Sequence, residues 1–487
     1  MTVAEVTAAP SITGVAPSGK DVTLEFGGRF RLGIDQWAYV PFDVPTGVRR
    51  ITVSTVHNQF SLFGVARNVL DLGIFGPAGY QLGNVDGFRG WSGGARSGFT
   101  LSTGDATPGY LAGPIDPGRW ALALGPVVLN PLGMRWRARI VLEYGAPGPV
   151  WAREEQTARI SPVPQVLTQR GRGWYRGDLH LHTVHSDGSH ETGDLVDSAQ
   201  AARLDFIVST EHNTSAANRE WVTRRADGLL VVSGEEVTTR HGHWLAVGLP
   251  PGGWVDWRYA PGDDVFPRFA AQVRAAGGMV VAAHPAVPMP GSAWEFGYRH
   301  VDAVEVWNGG WNVDDEVSLR IWHRLLRRGR LVAAVGGSDS HGPHQRVGLP
   351  QTVVYAAELS TSALVGALRR GRSYIAESDD VTVSLTASCT DGDEAFSAGP
   401  GDTLSIARHA AVTVSAAVCG APGSRLALIT ASGSVATVDV DRSGTGRLAW
   451  TTTGAEARFV RVEVRRPARG RIGPMVALTN PVLLRSY

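Results

Sequence analysis

Three things are scarce or missing in this sequence, and each removes a class of protein. Cysteine is scarce: the 487 residues contain two, Cys389 and Cys419. Both lie in the last quarter without metal-ligand spacing, which excludes a disulfide framework and a thiolate zinc site. They read as free thiols rather than a bridge. Net charge is nearly absent, with 46 basic against 45 acidic side chains and a formal charge of +1. No global field therefore draws the chain to nucleic acid or to a membrane. Long apolar runs are missing, since none reaches the ~18 residues that span a bilayer. The first residues, Met1-Thr2-Val3-Ala4-Glu5, lack the charged and apolar regions of a signal peptide, and a cytoplasmic protein is expected.

What is present divides the chain. Sixty glycines and 28 prolines supply many turns, and the length suggests about three domains. Residues 1–145 carry short apolar or alternating runs such as Val22-Thr23-Leu24-Glu25-Phe26 and Trp136-Arg137-Ala138-Arg139-Ile140, which predict a β-sandwich or jelly roll. Within them, Arg89-Gly90-Trp91-Ser92-Gly93-Gly94-Ala95-Arg96 and Thr107-Pro108-Gly109-Tyr110 read as loops. A Gly-rich loop with two arginines and a tryptophan has two readings, anion or sugar binding and packing on a neighbouring segment. The second is the commoner. Residues 146–173 read as a linker.

From 174 to 380 the pattern alternates strand and helix. Helical stretches Asp194 to Arg203, Asp264 to Ala276 and Asp314 to Arg328 precede apolar runs at Phe206-Ile207-Val208-Ser209, Met279-Val280-Val281-Ala282-Ala283 and Leu331-Val332-Ala333-Ala334-Val335. Leu229-Leu230-Val231-Val232 and Ala303-Val304-Glu305-Val306 read as two more strands. This order predicts parallel strands with crossover helices, a barrel or a doubly wound sheet. Residues 381–487 return to strand-like runs and read as a second β-sandwich.

Chemistry concentrates in the middle. Twelve of the 14 histidines fall between His180 and His344. An even scatter would put about five there. In Asp178-Leu179-His180-Leu181-His182 two imidazoles share one face of an extended segment, and Asp187 follows in a Ser-Asp-Gly turn. His212 follows the Phe206 strand, Glu235 and Glu236 the Leu229 strand, His284 the Met279 strand, and Asp339 and His341 the Leu331 strand. Five predicted strands thus deliver His, Asp or Glu at their C-terminal ends, where barrel enzymes assemble their sites. His243 is a further candidate. His185, His190 and His344 read as loop or supporting residues, His300 and His323 as surface. Arg240, Asn308 and Arg346, near strand ends, could meet a phosphate oxygen but read first as structural.

These motifs, His180-Leu181-His182, Ser186-Asp187-Gly188, Glu211-His212-Asn213, Gly234-Glu235-Glu236, His284-Pro285 and Ser338-Asp339-Ser340-His341, resemble in order those of the PHP (polymerase and histidinol phosphatase) family. The flanks, with Arg89-Gly90-Trp91-Ser92-Gly93 ahead and Ala477-Leu478-Thr479-Asn480-Pro481 behind, resemble its carbaryl-hydrolase-like branch. The resemblance implies a distorted (β/α)7 TIM-like barrel between two β-sandwiches, with two or three divalent ions at the strand C-termini. By motif, His180, His182 and Asp339 would hold one ion, and Asp187, His212 and His341 would face a second. Glu236 would bridge, with Glu235 placed second, and His243 and His284 would serve a third. Asp187, His212, Asp339 and His341 would carry the catalysis. One departure is Glu211, where the family often has Asp.

Imidazole and carboxylate ligands suit Zn²⁺, Mn²⁺ or Fe²⁺. Bridged ions lower the pKa of a shared water and neutralise the attacked group, so the expected activity is phosphoester hydrolysis on a small phosphorylated substrate. Carboxyl-ester or carbamate hydrolysis uses the same nucleophile and is the alternative within enzymes. A non-catalytic carbohydrate- or surface-binding protein is the alternative outside them, and the full ligand set stands against it.

Overall fold

Along Met134–Glu143 every second side chain is buried, Met134 through Leu142, while the arginines between them face outward. That two-residue period makes a strand of one dry and one wet face. The computed structural model describes residues 2–3, 6–7, 21–33, 35–59, 67–145, 170–223, 228–391, 394–468 and 473–487. Its N-terminal part pairs such strands into two five-stranded sheets. One orders Thr2–Val3, Gln36–Val44, Gly118–Val128, Val69–Phe75 and Phe88–Trp91; the other orders Val6–Thr7, Val22–Phe30, Met134–Glu143, Arg50–His57 and Gly98–Ser102. Phe30, Val40, Ile51, Leu72, Trp120 and Ile140 fill the space between them. Phe88–Trp91, expected in a loop, is an edge strand. Most of the expected linker, 146–169, lies outside the described residues.

The middle of the chain runs β1 (Gly173–Asp178), α1 (Thr192–Ala201), β2 (Phe206–Ser209), α2 (Ala216–Thr223), β3 (Leu230–Thr239), β4 (Gly242–Val247), α3 (Phe266–Ala275), β5 (Met279–Ala282), β6 (Ala303–Asn308), α4 (Val313–Arg327), β7 (Ala333–Gly337), β8 (Gln351–Ala356), α5 (Thr361–Arg369) and β9 (Ser373–Ala376). β1, β2 and β3 pair in parallel, as do β5, β6 and β7. A regular TIM-like repeat is not what forms, because β4 is antiparallel to both β3 and β5. The reason is local. Arg240-His241-Gly242 turns the chain back at once, with Gly242 at φ +106 and a Cβ there 2.6 Å from Trp294 Cα. No residue with a side chain fits, and no length remains for a crossover helix. Beyond the strands, Leu181 and Ser340 form a parallel bridge, so the ends of β1 and β7 meet.

β8 and β9 extend the sheet on the other side of β1, and β9 then pairs with Met475–Thr479. Phe459–Arg465, Arg425–Thr430 and Gly433–Asp439 continue it. A four-stranded sheet of Glu394–Ala398, Thr382–Asp391, Ala411–Cys419 and Gly446–Thr453 shares a core with these strands. One layer of the C-terminal β-structure is therefore continuous with the central sheet, and 380 marks no break in it. The Asn480 amide acts as a strand segment here, bonding both N–H and C=O of Ala334 and the carbonyl of Ser373. Cys389 is buried, Cys419 is exposed, and they are not bridged. Among the described residues no helix is long and apolar enough to cross a membrane.

The N-terminal sheets pack on the middle through aromatic rings. Phe88 stacks on Trp254 at 4.1 Å, and Trp91 meets Trp257 at 4.3 Å. Rings of this size bury the most apolar area per residue and hold such a junction.

Candidate metal centre

β1 stops at Asp178, and the next two alternate positions project His180 and His182 inward, both fully buried. Asp178 prepares this ending: its carboxylate accepts the N–H groups of His180 (3.2 Å), Ser338 (2.9 Å) and Gly348 (2.8 Å). It thereby ties the ends of β1 and β7 together. Three of the non-glycine residues with positive φ sit at the site, Asn213 (56°), His284 (25°) and Asp339 (50°). Such backbone persists where surrounding contacts over-determine it.

The imidazole and carboxylate atoms converge on Glu236. Its Oε1 lies 2.9 Å from His243 Nδ1 and 3.1 Å from His284 Nε2. Its Oε2 lies 3.2 Å from His180 Nε2, 3.3 Å from His182 Nε2 and 2.9 Å from His212 Nδ1. Asp339 Oδ1 is 3.3 Å from His180 Nε2 and 3.1 Å from His182 Nε2. At the rim, Asp187 Oδ1 is 3.3 Å from both His212 Nε2 and His341 Nε2. Four overlapping groups result: His182, Asp187, His212 and His341; His180, His182, Glu236 and Asp339; Glu236, His243 and His284; and His180, His284 and Glu305.

A cation fits these groups. His180 Nε2, His182 Nε2, Glu236 Oε2 and Asp339 Oδ1 are buried and have no hydrogen-bond partner, although each lies close to the others. Orphaned polar atoms are costly, and atoms that face one another without bonding mark a shared third partner. Two ligands of one ion, each about 2.0–2.2 Å from it, stand about 3 to 3.5 Å apart, the spacing seen here.

Several residues hold this set in place. Glu305 accepts from His180 Nδ1 (3.1 Å) and from His284 N (2.9 Å), which turns the His180 Nε2 lone pair toward the site. Asn308 Nδ2 donates to Glu305 and to Asp339 Oδ2. Thr238 Oγ1 pairs with His212 Nδ1 at 2.6 Å. Glu211 accepts from Thr183 N, Thr183 Oγ1 and Ser186 Oγ, fastening the turn between His182 and Asp187. Its longer chain, compared with Asp, serves that reach.

Burial alone would neutralise these groups, but their mutual charges win. Desolvation pushes the Glu236 and Asp339 carboxyls up, yet the surrounding imidazoles hold both well below the usual range. Desolvation likewise lowers His180 and His212, and the facing carboxylates raise both well above the ordinary imidazole value. His243, where burial prevails over Glu236, is lowered to about 4 and stays neutral. Cations entering the raised sites displace protons, so metal uptake releases acid.

Asp178 behaves differently, because burial raises its carboxyl to about 6 from 3.8. The folded state then binds the proton more tightly than the unfolded chain. Its contribution is fully present below the unfolded value and is lost as pH rises to about 6, a span of about 3 kcal/mol. We expect the stability difference between wild type and Asp178→Asn, followed by urea unfolding of metal-free protein, to shift by up to that amount between pH 4 and pH 7. A pH-independent difference would contradict the assignment.

All nine residues expected as ligands, His180, His182, Asp187, His212, Glu236, His243, His284, Asp339 and His341, fall within these groups. Glu235 does not. Strand alternation turns it away to accept Val255 N at 2.8 Å. His185 pairs with Glu220 and His190 with Ser340, both off the ligand groups. His300 and His323, expected on the surface, are half-buried, His323 against Phe459 and Arg461. Arg346 is exposed and Arg240 lies over Trp37. Glu305 and Thr238 were missed from sequence. A lone acid inside the apolar run Ala303-Val304-Glu305-Val306 was the available signal for the first. The Arg89 loop binds protein rather than an open anion site: Arg89 donates to the carbonyls of Leu111, Gly113 and Pro114, and Arg96 to that of Val184.

No family model and no curated protein matches the chain. Solved structures do. One is a two-domain Bacteroides vulgatus protein described as containing a "predicted PHP-like metal-dependent phosphoesterase", with 17% identity and TM-score 0.36, covering 64% of this chain and 97% of that one. A second is a Bifidobacterium adolescentis protein assigned as a metal-dependent phosphoesterase, with 21% identity and TM-score 0.28, covering 35% of this chain and 90% of that one. A third is an amidohydrolase from Chromobacterium violaceum with bound sulfate and no metal, with 18% identity and TM-score 0.27, covering 35% of this chain and 89% of that one.

Proposed function

We propose that the chain is a metal-dependent hydrolase of PHP type, within its carbaryl-hydrolase-like branch, and that it cleaves phosphate esters. The convergence on Glu236 carries the reading. Five imidazoles and a second carboxylate, Asp339, surround one buried carboxylate whose Oε2 has no hydrogen-bond partner. His180, His182, Glu236 and Asp339 would hold one ion, and His182, Asp187, His212 and His341 another. Glu236, His243 and His284 would hold a third. The middle strands, meeting end to end at Leu181 and Ser340, would be a distorted version of the family's barrel.

When bound, divalent ions supply Lewis acidity and a nucleophilic water at neutral pH. The protein supplies the rest. His180 and His182 are closed to solvent, whereas the Asp187 and His341 side chains are 33% and 30% exposed. The buried residues therefore form a floor that excludes bulk water, and substrate enters at the rim beside Asp187 and His341. Asn308 keeps Asp339 oriented and Thr238 keeps His212 oriented, so little reorganisation is left for the reaction step. A dense cation site suits a phosphate's charge best, which favours phosphoesters over carboxyl esters.

Elemental analysis joined to a hydrolysis screen tests this. p-Nitrophenyl phosphate, bis-p-nitrophenyl phosphate and a p-nitrophenyl carboxylate would be offered with and without Mn²⁺. Two or more ions per chain, with phosphate cleavage that disappears in Asp339→Ala, is the expected result. Cleavage of the carboxylate alone would replace the phosphoesterase by an esterase, and metal-free, inactive protein would end both.

A further inference from the structure

The ligands divide by what holds them. His180, His182, His284 and Asp339 stand just beyond strand ends and Glu236 within β3, and His180, His284 and Asp339 are braced by Asp178, Glu305 and Asn308, all in the middle of the chain. Asp187 stands on a loop at the open rim, with His212, bridged to Glu236 of β3, beside it, and there the N-terminal sandwich reaches in. Arg96 donates from Nη2 to Val184 O, three residues before Asp187. Gly93 lies so close that a Cβ on it would be 3.3 Å from Ser186 Cβ, 3.4 Å from His212 Cβ and 3.7 Å from Asp187 N. Gly109 O accepts from Thr214 Oγ1 at 2.8 Å, and a Cβ on Gly109 would stand 2.6 Å from His185 O. These loops are themselves rooted in the sandwich, through Ser92 N on Leu72 O (3.0 Å) and Trp91 N on Gly109 O (3.1 Å).

We propose that the Asp187, His212 and His341 centre is an interdomain centre, with Arg96 as a positioning residue that holds the Asp187 loop in ligating range. The proposal rests on the metal-centre reading above and deepens it. It gives the N-terminal sandwich a role in metal binding, in which it sets the affinity of the rim ion and leaves the floor ions alone. The physical ground is the pairing of a loop-borne ligand with a rigid brace. A loop carboxylate free of secondary structure must be fixed within a few tenths of an ångström to ligate, and loss of an outer partner typically weakens metal binding by about 10- to 100-fold.

Equilibrium dialysis against Zn²⁺, with metal counted per chain, tests it on full-length protein. Arg96→Ala is expected to lose one ion per chain, or to bind one at least about tenfold more weakly, while the others stay as in wild type. Arg96→Lys, which can still donate to Val184 O, is expected to recover most of that loss. Arg89→Ala serves as the comparison, because Arg89 braces the same sandwich through Leu111, Gly113 and Pro114 without touching the site. It is expected to keep every ion. Gly93→Ala, at φ +65 and pressed on Ser186 and His212, is the second lesion should Arg96→Ala fail to fold, and selective loss of one ion is again expected. Unchanged binding in the folded variants would overturn the proposal. Equal losses in Arg96→Ala and Arg89→Ala would overturn it too, as general loosening. A wild type without metal would instead remove the reading beneath it.

Discussion

Glu236→Ala is expected to strip the folded protein of the two ions Glu236 would help to hold, the one with His180, His182 and Asp339 and the one with His243 and His284, and to reduce hydrolysis to background. The carboxylate it removes touches five imidazoles, with Oε1 on His243 and His284 and Oε2 on His180, His182 and His212. Neither neighbouring glutamate replaces it, since Glu235 points to Val255 and Glu305 is engaged with His180 and His284. Loss of a residue that merely supports a ligand weakens metal binding about 10- to 100-fold, and loss of a shared ligand exceeds that for every ion it serves. Glu236→Gln is the more discriminating variant. It keeps the volume but sets an amide N–H₂ against imidazoles on one side, so one oxygen's ions are retained better than the other's. Elemental analysis after dialysis, with circular dichroism as the folding control, reads both variants. Full metal occupancy in folded Glu236→Ala would show that the ligand groups act separately and that Glu236 bridges nothing.

The clustered histidines and carboxylates were legible because each sits where local pattern is strong. A strand end followed by His or Asp is visible in ten residues, as in Phe206 to His212 and Met279 to His284. Alternation also carries the choice between Glu235 and Glu236 once the inward face is known, but sequence alone does not say which face is inward. The antiparallel β4 was hidden for another reason. His241-Gly242-His243 offers ligand-capable histidines, and a metal pattern masks the glycine that makes a turn there. Least legible were the long-range pairings. Nothing near Tyr374 announces that β9 will pair with Met475–Thr479, about a hundred residues on, because strand partners share a surface and not a local signal. The same holds for Gly93 and Arg96. They read as a loop and act on a turn far along the chain.

The largest expected effect on stability comes from Arg258→Ala, at the junction between the N-terminal sheets and the middle of the chain. Arg258 and Asp256 are closed to solvent, with side-chain exposures of 1% and 0%. The guanidinium donates to Asp256 from Nε (2.9 Å) and Nη2 (2.6 Å) and to Tyr39 Oη from Nη1 (2.8 Å), and it lies 4.4 Å from the Phe75 ring centroid. Asp256 Oδ2 also accepts Gly83 N at 2.8 Å, so both partners reach across the junction. Truncation leaves a buried carboxylate with backbone N–H partners only, and such single lesions cost about 3–5 kcal/mol because the remaining charge stays out of water. Against a typical total of about 5–15 kcal/mol this is a large share. Adding Asp256→Asn removes the stranded charge while keeping an acceptor for Gly83 N, and the double variant is expected to regain a substantial part of the loss. Urea unfolding followed by tryptophan fluorescence suits the measurement, since Trp254 and Trp257 line the junction. A loss below about 1 kcal/mol in Arg258→Ala would mean that water enters to solvate Asp256. The aromatic stacks of Phe88 on Trp254 and Trp91 on Trp257 would then hold the two parts together without the ion pair.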